Sequence, residues 1–413
     1  WEHHAWLHDV CSHLRKVLPE MAPGDIMRVI LAFGELYTKR KRHTLLFQDF
    51  ETYTQLFQAL PIEVATEKSL LPLMRCYRRM AVSHEPFVRA ICDRVVDGEV
   101  ELSPGQLSEL VQLHGELKLR SPRLFDFATE ILDLRFPYFS EDQVGDLART
   151  FCILQYRSAN FLSTLRRELP YRLHEYAWWN LIDIGEMYVA LQVQDKEIAE
   201  RIANEVYKLI LNMKYSYPAK ALRILAFLEV GDKRTLRLLV RNVPRSISYL
   251  NPQAAAETII ACVSLDIQPQ DVFHRLKAWR LYLVLLKKLI PDLGSLTPKL
   301  TCDVVAAVAK AGQKEFQFAL HVEAAVEQRP FKFHAEHLIS MLRDFATLEQ
   351  QCTKMYGLLL TRLHEVSECT PSALCALPVA LAGHRQQKHE VEEKMLERMS
   401  ELLCKPGEYR LPI

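Results

Sequence analysis

Glycine is scarce in this sequence, with 13 among 413 residues, and proline is no more than average at 20. Long coil or low-complexity segments are therefore not expected. The chain has no run of about 18 uncharged apolar residues, and its longest apolar run, residues 281–286, is too short to cross a membrane. We find no alternating strand pattern of five or more residues and no Asn-Gly or Asp-Gly turn between two apolar runs. These absences exclude a low-complexity, a membrane-spanning and a β-rich chain.

Signatures of catalysis are also missing. The sequence contains no glycine-rich phosphate loop, no G-x-S-x-G and no H-E-x-x-H. His334 and His337 lie one helical turn apart beside Glu336, but no third ligand follows at a known metal-site spacing. A histidine pair at the edge of the core is the simpler interpretation. We therefore expect no enzymatic activity, no cofactor, no metal ion and no small-molecule substrate.

The cysteines form no C-x-x-C pair, and most of them fall on apolar helix faces. This pattern indicates reduced core thiols rather than disulfides or zinc ligands, and a reducing compartment such as the cytosol, the nucleus or an organelle matrix. The ten cysteines are Cys11, Cys76, Cys92, Cys152, Cys262, Cys302, Cys352, Cys369, Cys375 and Cys404.

Apolar residues recur at spacings of three and four along most of the chain, which predicts amphipathic helices. Signals for a helix start recur about every 37 residues, a length that suits a helix–turn–helix unit. Five of the starts are residue–proline pairs, such as Ser103-Pro104 and Tyr217-Pro218, and proline is well tolerated in the first turn of a helix. The ten predicted starts are Pro23, Thr66, Pro104, Glu141, Trp178, Pro218, Pro252, Pro298, His334 and Pro371.

Each unit reads as one helix, a short polar break and a second amphipathic helix. Such a unit cannot bury its apolar face alone, so neighbouring units must stack. The sequence therefore predicts an all-α fold, an α-solenoid of about ten stacked antiparallel helix pairs with a period of about 37 residues. We assign residues 1–21 to an N-terminal helical cap, residues 22–403 to the solenoid and residues 404–413 to an extended tail.

A degenerate motif of the form Leu-x-x-x-Phe-x-x-Leu-x-Tyr, clearest at Leu147, Phe151, Leu154 and Tyr156, recurs loosely in other units. It resembles the heptatricopeptide and octotricopeptide repeats of organellar RNA-binding proteins. Those proteins often carry a C-terminal RAP domain, and this sequence has none. The resemblance implies a role in RNA processing or translation, or a place in a divergent mitochondrial ribosome.

Charge is unevenly distributed. The segment 214–288 holds thirteen basic and five acidic residues, a net charge of +8 in a chain whose total is +1. Arg234, Arg237, Arg241 and Arg245 follow one another at three, four and four, which predicts one stripe on a helix, with Lys233 beside it. RNA phosphate would neutralise the stripe. A solvated face with acidic partners in the next unit, or an acidic protein surface, would neutralise it equally.

Two smaller basic clusters are further candidates for phosphate contact. Lys39, Arg40, Lys41 and Arg42 occupy the turn of the first unit. Arg166 and Arg167, with Arg172, lie near two tyrosines, Tyr171 and Tyr176, which could stack on bases but at helical spacing are more often core residues. The pair Trp178-Trp179 is expected to wedge between two units.

We therefore expect a non-catalytic RNA-binding protein of an organelle, a structural component of a divergent mitochondrial ribosome that holds rRNA through the basic stripe. The alternative is a scaffold subunit of a large mitochondrial complex that contacts proteins only. The expected location is the mitochondrial matrix, with the chloroplast or the cytosol as alternatives. Because the sequence opens at Trp1 rather than Met, we expect either a removed presequence or an internal start.

Overall fold

The computed structural model describes residues 2–39, 50–82, 84–267, 278–312, 318–362, 365 and 369–382. Across these ranges the regular structure is α-helix and short 3-10 helix without any strand, so the all-α prediction is confirmed. The predicted tail, residues 404–413, lies outside the described ranges. In the part that is described, no helix is long and apolar enough to cross a membrane.

Twenty α-helices lie in the described residues. Those with even numbers correspond to the first helix of a unit, and those with odd numbers to the second. They are α1 Glu2–Val17, α2 Pro23–Lys39, α3 Phe50–Ala59, α4 Glu67–Arg79, α5 Glu85–Val96, α6 Pro104–Leu117, α7 Pro122–Arg135, α8 Glu141–Leu154, α9 Ala159–Arg172, α10 Trp178–Ala190, α11 Lys196–Leu209, α12 Tyr217–Phe227, α13 Lys233–Asn242, α14 Pro252–Ser264, α15 Ala278–Leu289, α16 Pro298–Lys310, α17 Phe318–Gln328, α18 Ala335–Thr347, α19 Thr353–Thr361 and α20 Pro371–Ala382.

The first helices begin where side chains can satisfy free backbone N–H groups. Ser103 Oγ accepts from the backbone N–H of Gln106, whose side chain accepts in turn from the N–H of Ser103 at 2.8 Å. Asn251 caps α14 in the same position through the N–H of Ala254, at 2.7 Å. At α12 the structure differs from the predicted start. The sequence predicts Tyr217 to precede the helix, but it is the first residue of α12.

The first helices also end alike. A residue with positive φ follows most of them, and it turns the chain towards the second helix. Successive positions are 37 residues apart, except for 46 between the sixth and the seventh. They are Ala81, Lys118, Gln155, Gln192, Glu229, Asp266, Gly312 and Glu349.

Contacts divide the chain into two compact units, Trp1–Glu205 and Val206–Ile413. In the first unit, α2, α4, α6, α8 and α10 pack on one another in that order, while α1 packs on α3, and α7 on both α5 and α9. The first helices approach closely: a Cβ added at Gly145 would lie 2.6 Å from Oδ1 of Asn180 on the next first helix. This part of the chain is therefore a two-layered helical solenoid.

In the second unit, α12, α14, α16, α18 and α20 pack in order, and α17 packs on α19. Its core is formed by the facing apolar sides of these helices, with Leu222, Ile259, Val304 and Leu342 among its buried residues. The solenoid predicted from the repeats is present here as well.

Arginine side chains link successive pairs. In four places an arginine near the end of a second helix donates to two backbone carbonyl oxygens, three residues apart, in the turn that ends the preceding pair. Hydrogen bonds to a charged donor are among the stronger ones in proteins. The four are Arg94 on Ile62 and Ala65, Arg172 on Phe136 and Phe139, Arg329 on Leu293 and Leu296, and Arg362 on Pro330 and Phe333.

Candidate nucleic-acid interface

Helix α13 carries the centre of the predicted basic stripe. It begins at the carboxylate of Asp232, whose Oδ1 accepts from the backbone N–H of Thr235 at 2.5 Å. That hydrogen bond holds the pKa of Asp232 below its usual range. Because Asp232 is used as the cap and is the last acidic residue before Glu257, the helix that follows has no acidic side chain of its own.

The two faces of α13 differ sharply. Thr235, Leu239 and Val240 are buried. The basic residues lie on the other side, where side chains three and four positions apart are neighbours. All five predicted residues of the stripe are exposed: Lys233, Arg234, Arg237, Arg241 and Arg245.

One part of the stripe prediction is wrong. Arg245 is not on the same α-helix, because α13 ends at Asn242 and a 3-10 helix, Val243–Tyr249, follows. Pro244 lacks an N–H group and its ring crowds the preceding turn, which favours the end of the α-helix here. Arg245 instead lies within hydrogen-bonding distance of Asn242, with Nη1 3.5 Å from Oδ1.

Among the described residues, Asp232 is near enough to Arg234 for the two charges to attract each other. No carboxylate of the described residues lies within 4.0 Å of Lys233, Arg234 or Arg241 to form an ion pair. Like charges at these helical spacings destabilise a helix by a few tenths of a kcal/mol per pair. The face is therefore suited to an external anion.

A cleft beside Arg245 was not foreseen from the sequence. It has a volume of about 420 Å³, and Lys214, Tyr215, Asn242 and Tyr249 contribute to its walls. The rings of Tyr215 and Tyr249 meet edge to face, with centroids 5.0 Å apart and planes at 86°. Each tyrosine stands three residues before the proline of the next first helix, a common register that could have pointed to their proximity.

The second predicted cluster is already paired with acids. Arg167 contacts Asp133 at 2.8 Å and Glu168 at 2.6 Å, and Arg166 lies 3.5 Å from Asp195. A shallow cavity beside Arg166 is lined by three carboxylates, including Glu197. These arginines are consequently less available to phosphate than those of α13.

The aromatic residues near that cluster separate into two environments. Tyr176 is buried, whereas Tyr171 is exposed. Trp179 reaches the start of α8, where Nε1 donates to Oδ1 of Asp142 at 3.2 Å, and its ring meets that of Trp178 edge to face. This hydrogen bond joins two neighbouring helix pairs, while Trp179 is 39% exposed, so the wedge stays a prediction.

Of the cluster in the first turn, Lys39 is the last residue of α2. Arg40, Lys41 and Arg42 lie outside the described residues. Phosphate contact there stays a prediction.

The histidine pair lies at the start of α18. The backbone N–H of His334 donates to Nδ1 of His337 at 3.2 Å. Burial, together with the charge of His334, holds the pKa of His337 below its usual range. Within the described ranges, no three His, Cys, Asp or Glu side chains come together as a metal ion would require.

Comparison with models of known protein families gives no match to this chain, and comparison with curated proteins gives none either. The resemblance to organellar RNA-binding repeats therefore stays a prediction.

Proposed function

We propose that this chain is a non-catalytic helical-repeat protein that binds RNA through the exposed basic face of α13 and the 3-10 helix after it. In the same proposal it is a structural component of a divergent mitochondrial ribosome, where it holds rRNA and contacts neighbouring proteins. The observation that carries the proposal is the row of exposed cations on one helix face, of which Lys233 and Arg241 have no carboxylate of the described residues within 4.0 Å. Arginine forks donate two parallel hydrogen bonds to phosphate, and release of counterions from the RNA drives binding.

The near-neutral total charge agrees with this role. A freely diffusing RNA-binding protein gains from a high positive charge overall, whereas a component of an assembly needs only a local basic surface. Here the segment 214–288 has a net charge of +8 within a chain of net charge +1. The positive charge is thus concentrated in one segment of the sequence.

Charge reversal tests the proposal. The double substitution Arg237→Glu and Arg241→Glu should weaken binding to single-stranded RNA by about 10-fold or more, because at least two phosphate contacts become repulsive. The salt dependence should become shallower by about 0.7 log unit per lost phosphate. Fluorescence anisotropy over a salt series from about 50 to 200 mM measures both quantities.

A matched control is the double substitution Arg28→Glu and Arg89→Glu. Both arginines are exposed, and each pairs with an acid on its own helix. The control changes the total charge by the same amount away from α13, so RNA affinity should fall much less. Equal losses in both double variants would reject the basic face as the binding surface.

In cells, the tagged protein should sediment with large ribosomal particles and be released by ribonuclease. Particle association that survives both ribonuclease and the α13 substitutions would favour the second candidate, a scaffold that contacts proteins only. One observation favours that candidate: Leu134, Tyr138 and Tyr171 are each 77% exposed in the first unit. Large exposed apolar side chains of this kind are common at protein interfaces.

A further inference from the structure

The cleft lined by Tyr215 and Tyr249 leaves much of these two aromatic rings in water. Tyr215 is 55% exposed and Tyr249 58%. A flat partner that covers this apolar ring surface removes it from water, which is energetically favourable. The cleft volume of about 420 Å³ falls within the range of about 300–1,000 Å³ of small-ligand pockets. Space and exposed ring surface are therefore both present for a planar group.

The backbone of Tyr215 is held in an unusual conformation. Its φ is +54°, in the left-handed region. The other non-glycine residues with positive φ in the described ranges follow the C-terminus of a first helix, whereas Tyr215 precedes the first helix α12. Left-handed geometry is unfavourable for a bulky residue and is found preferentially at binding sites. From this backbone position the Tyr215 ring contacts that of Tyr249.

The charge of the cleft is entirely positive. Lys214 and Arg245 stand at its edge, and no acidic residue lines it. Lys214 forms no ion pair with any carboxylate in the described part of the chain. An occupant should thus combine a planar ring with a negative charge.

We infer that this cleft binds one unstacked base of single-stranded RNA against Tyr215 and Tyr249, with the adjoining phosphate on Lys214 and Arg245. The inference rests on the proposed function, since it extends the basic face of α13 to the neighbouring cleft. A base in a duplex is covered by stacking on both sides and cannot enter, whereas an unpaired base can be turned out onto an aromatic side chain. The cleft therefore distinguishes single strands from duplexes.

Base identity has little effect on this binding. The amide N–H group of Asn242 and the hydroxyl of Ser246 are already engaged: Nδ2 of Asn242 donates to the carbonyl oxygen of Leu238 at 2.9 Å, and Oγ of Ser246 donates to that of Val243 at 2.9 Å. Recognition then comes from the ring face and the phosphate, which every nucleotide has.

The test uses the full chain and two probes, an oligoadenylate of about 12 nucleotides and its duplex with oligouridylate. Tyr215→Ala and Tyr249→Ala should each weaken oligoadenylate binding about tenfold and leave duplex binding unchanged. Tyr249→Phe keeps the ring and should bind as the wild type does. A fluorescent purine analogue in the strand should be quenched by the wild type and not by Tyr249→Ala.

Tyr138→Ala removes an exposed tyrosine from the first unit and should change neither affinity. The inferred base binding in the cleft would be contradicted if both cleft alanine variants bound oligoadenylate with wild-type affinity. It would also be contradicted if they lost equal affinity for the single strand and the duplex. If the α13 charge reversal still weakens binding in that case, the proposed function stands without the cleft. If the wild type binds neither probe, both fail. Circular dichroism checks that each variant is folded.

Discussion

Nη1 of Arg172 donates to the backbone carbonyl oxygen of Phe139 at 3.1 Å, and the guanidinium group lies over the ring of Phe136 at 5.6 Å. Arg172 belongs to the end of α9, and both phenylalanines to the turn that follows α7. The carbonyl oxygen of Phe136 also accepts from the backbone N–H of Phe139 at 3.0 Å, and the arginine supplies a further donor across the boundary between two pairs. Nε of Arg172 donates to Glu175 at 2.7 Å, so the same guanidinium group is held by an acid of its own pair.

Removal of this contact should destabilise the first unit. Arg172→Met keeps an apolar stem of similar length and should lower the free energy of unfolding by about 2 kcal/mol, because two partly buried carbonyl groups lose a charged donor. Urea denaturation followed by circular dichroism measures the change. Arg123→Met is the control: Arg123 forms exposed ion pairs with Asp93 and Asp97, which contribute about 0–1 kcal/mol. Equal losses in both variants would contradict a special role for Arg172.

Gly145→Ala should destabilise the contact between α8 and α10 by about 1–3 kcal/mol. The new methyl group would meet Oδ1 of Asn180 at 2.6 Å, and this buried amide is held by its donation to Asp142 at 2.9 Å. Gly357→Ala is the matched control inside α19, where an added Cβ has no atom within 4 Å. That variant should gain about 0.5–1 kcal/mol from helix propensity. Thermal unfolding of the two variants should therefore shift in opposite directions.

The cap of α13 should give a pH-dependent contribution to stability. Asp232→Ala should cost about 1 kcal/mol at neutral pH, whereas Asp232→Asn retains a capping oxygen and should cost less. The pKa of Asp232 is lowered by its bond to Thr235, so the carboxylate stabilises the fold fully above the unfolded pKa of about 3.9. This contribution disappears as the pH falls through the lower pKa of the folded state.

The measurement is the difference in unfolding free energy between wild type and Asp232→Asn from neutral pH to below about pH 4. Other carboxylates titrate in both proteins and cancel in that difference. The advantage of the wild type should shrink on acidification. A difference that grows as the pH falls would show that Asp232 does not act as a charged cap.

The cysteines should differ in reactivity towards iodoacetamide. Sγ of Cys92 lies 3.1 Å from Nε2 of the buried His114, whose Nδ1 is 2.8 Å from the carbonyl oxygen of Leu110. Burial raises the pKa of Cys92 to about 11 and that of Cys262 to about 12, so neither forms a thiolate at neutral pH. Of the nine cysteines in the described residues, Cys375 is exposed and should be alkylated before the buried ones in the folded protein. Mass spectrometry measures the alkylation of each cysteine. Equal rates for Cys92 and Cys375 would contradict the prediction.

Local signals in the sequence were enough to predict where many of the helices begin. Proline and capping residues have their effect within one turn, so the starts at Pro104, Pro252 and Pro298 could be predicted from neighbouring residues alone. The prediction of a single helical stripe is wrong at Arg245, because Pro244 precedes it and α13 ends at Asn242. A helical period applies only as far as the helix extends.

Contacts between successive helix pairs were harder to predict. Asp133, the partner of Arg167, lies 34 residues earlier, and so does Tyr215 relative to Tyr249. Separations of this size become contacts only when consecutive pairs stack in register, and the register depends on side-chain packing throughout the core. The charge of α13 was therefore visible in the sequence, whereas the cleft beside it was not.

The arginine links between pairs all run in one direction, from a later residue back to carbonyl groups 29 to 36 residues earlier. A ribosome synthesises the acceptors first, so in these four hairpins the carbonyl oxygens precede their arginine donor by 29 to 36 residues. They are closed off only after the following hairpin has left the exit tunnel. At these four places the solenoid is therefore completed stepwise during translation. The later hairpin supplies further hydrogen-bond donors to the earlier one.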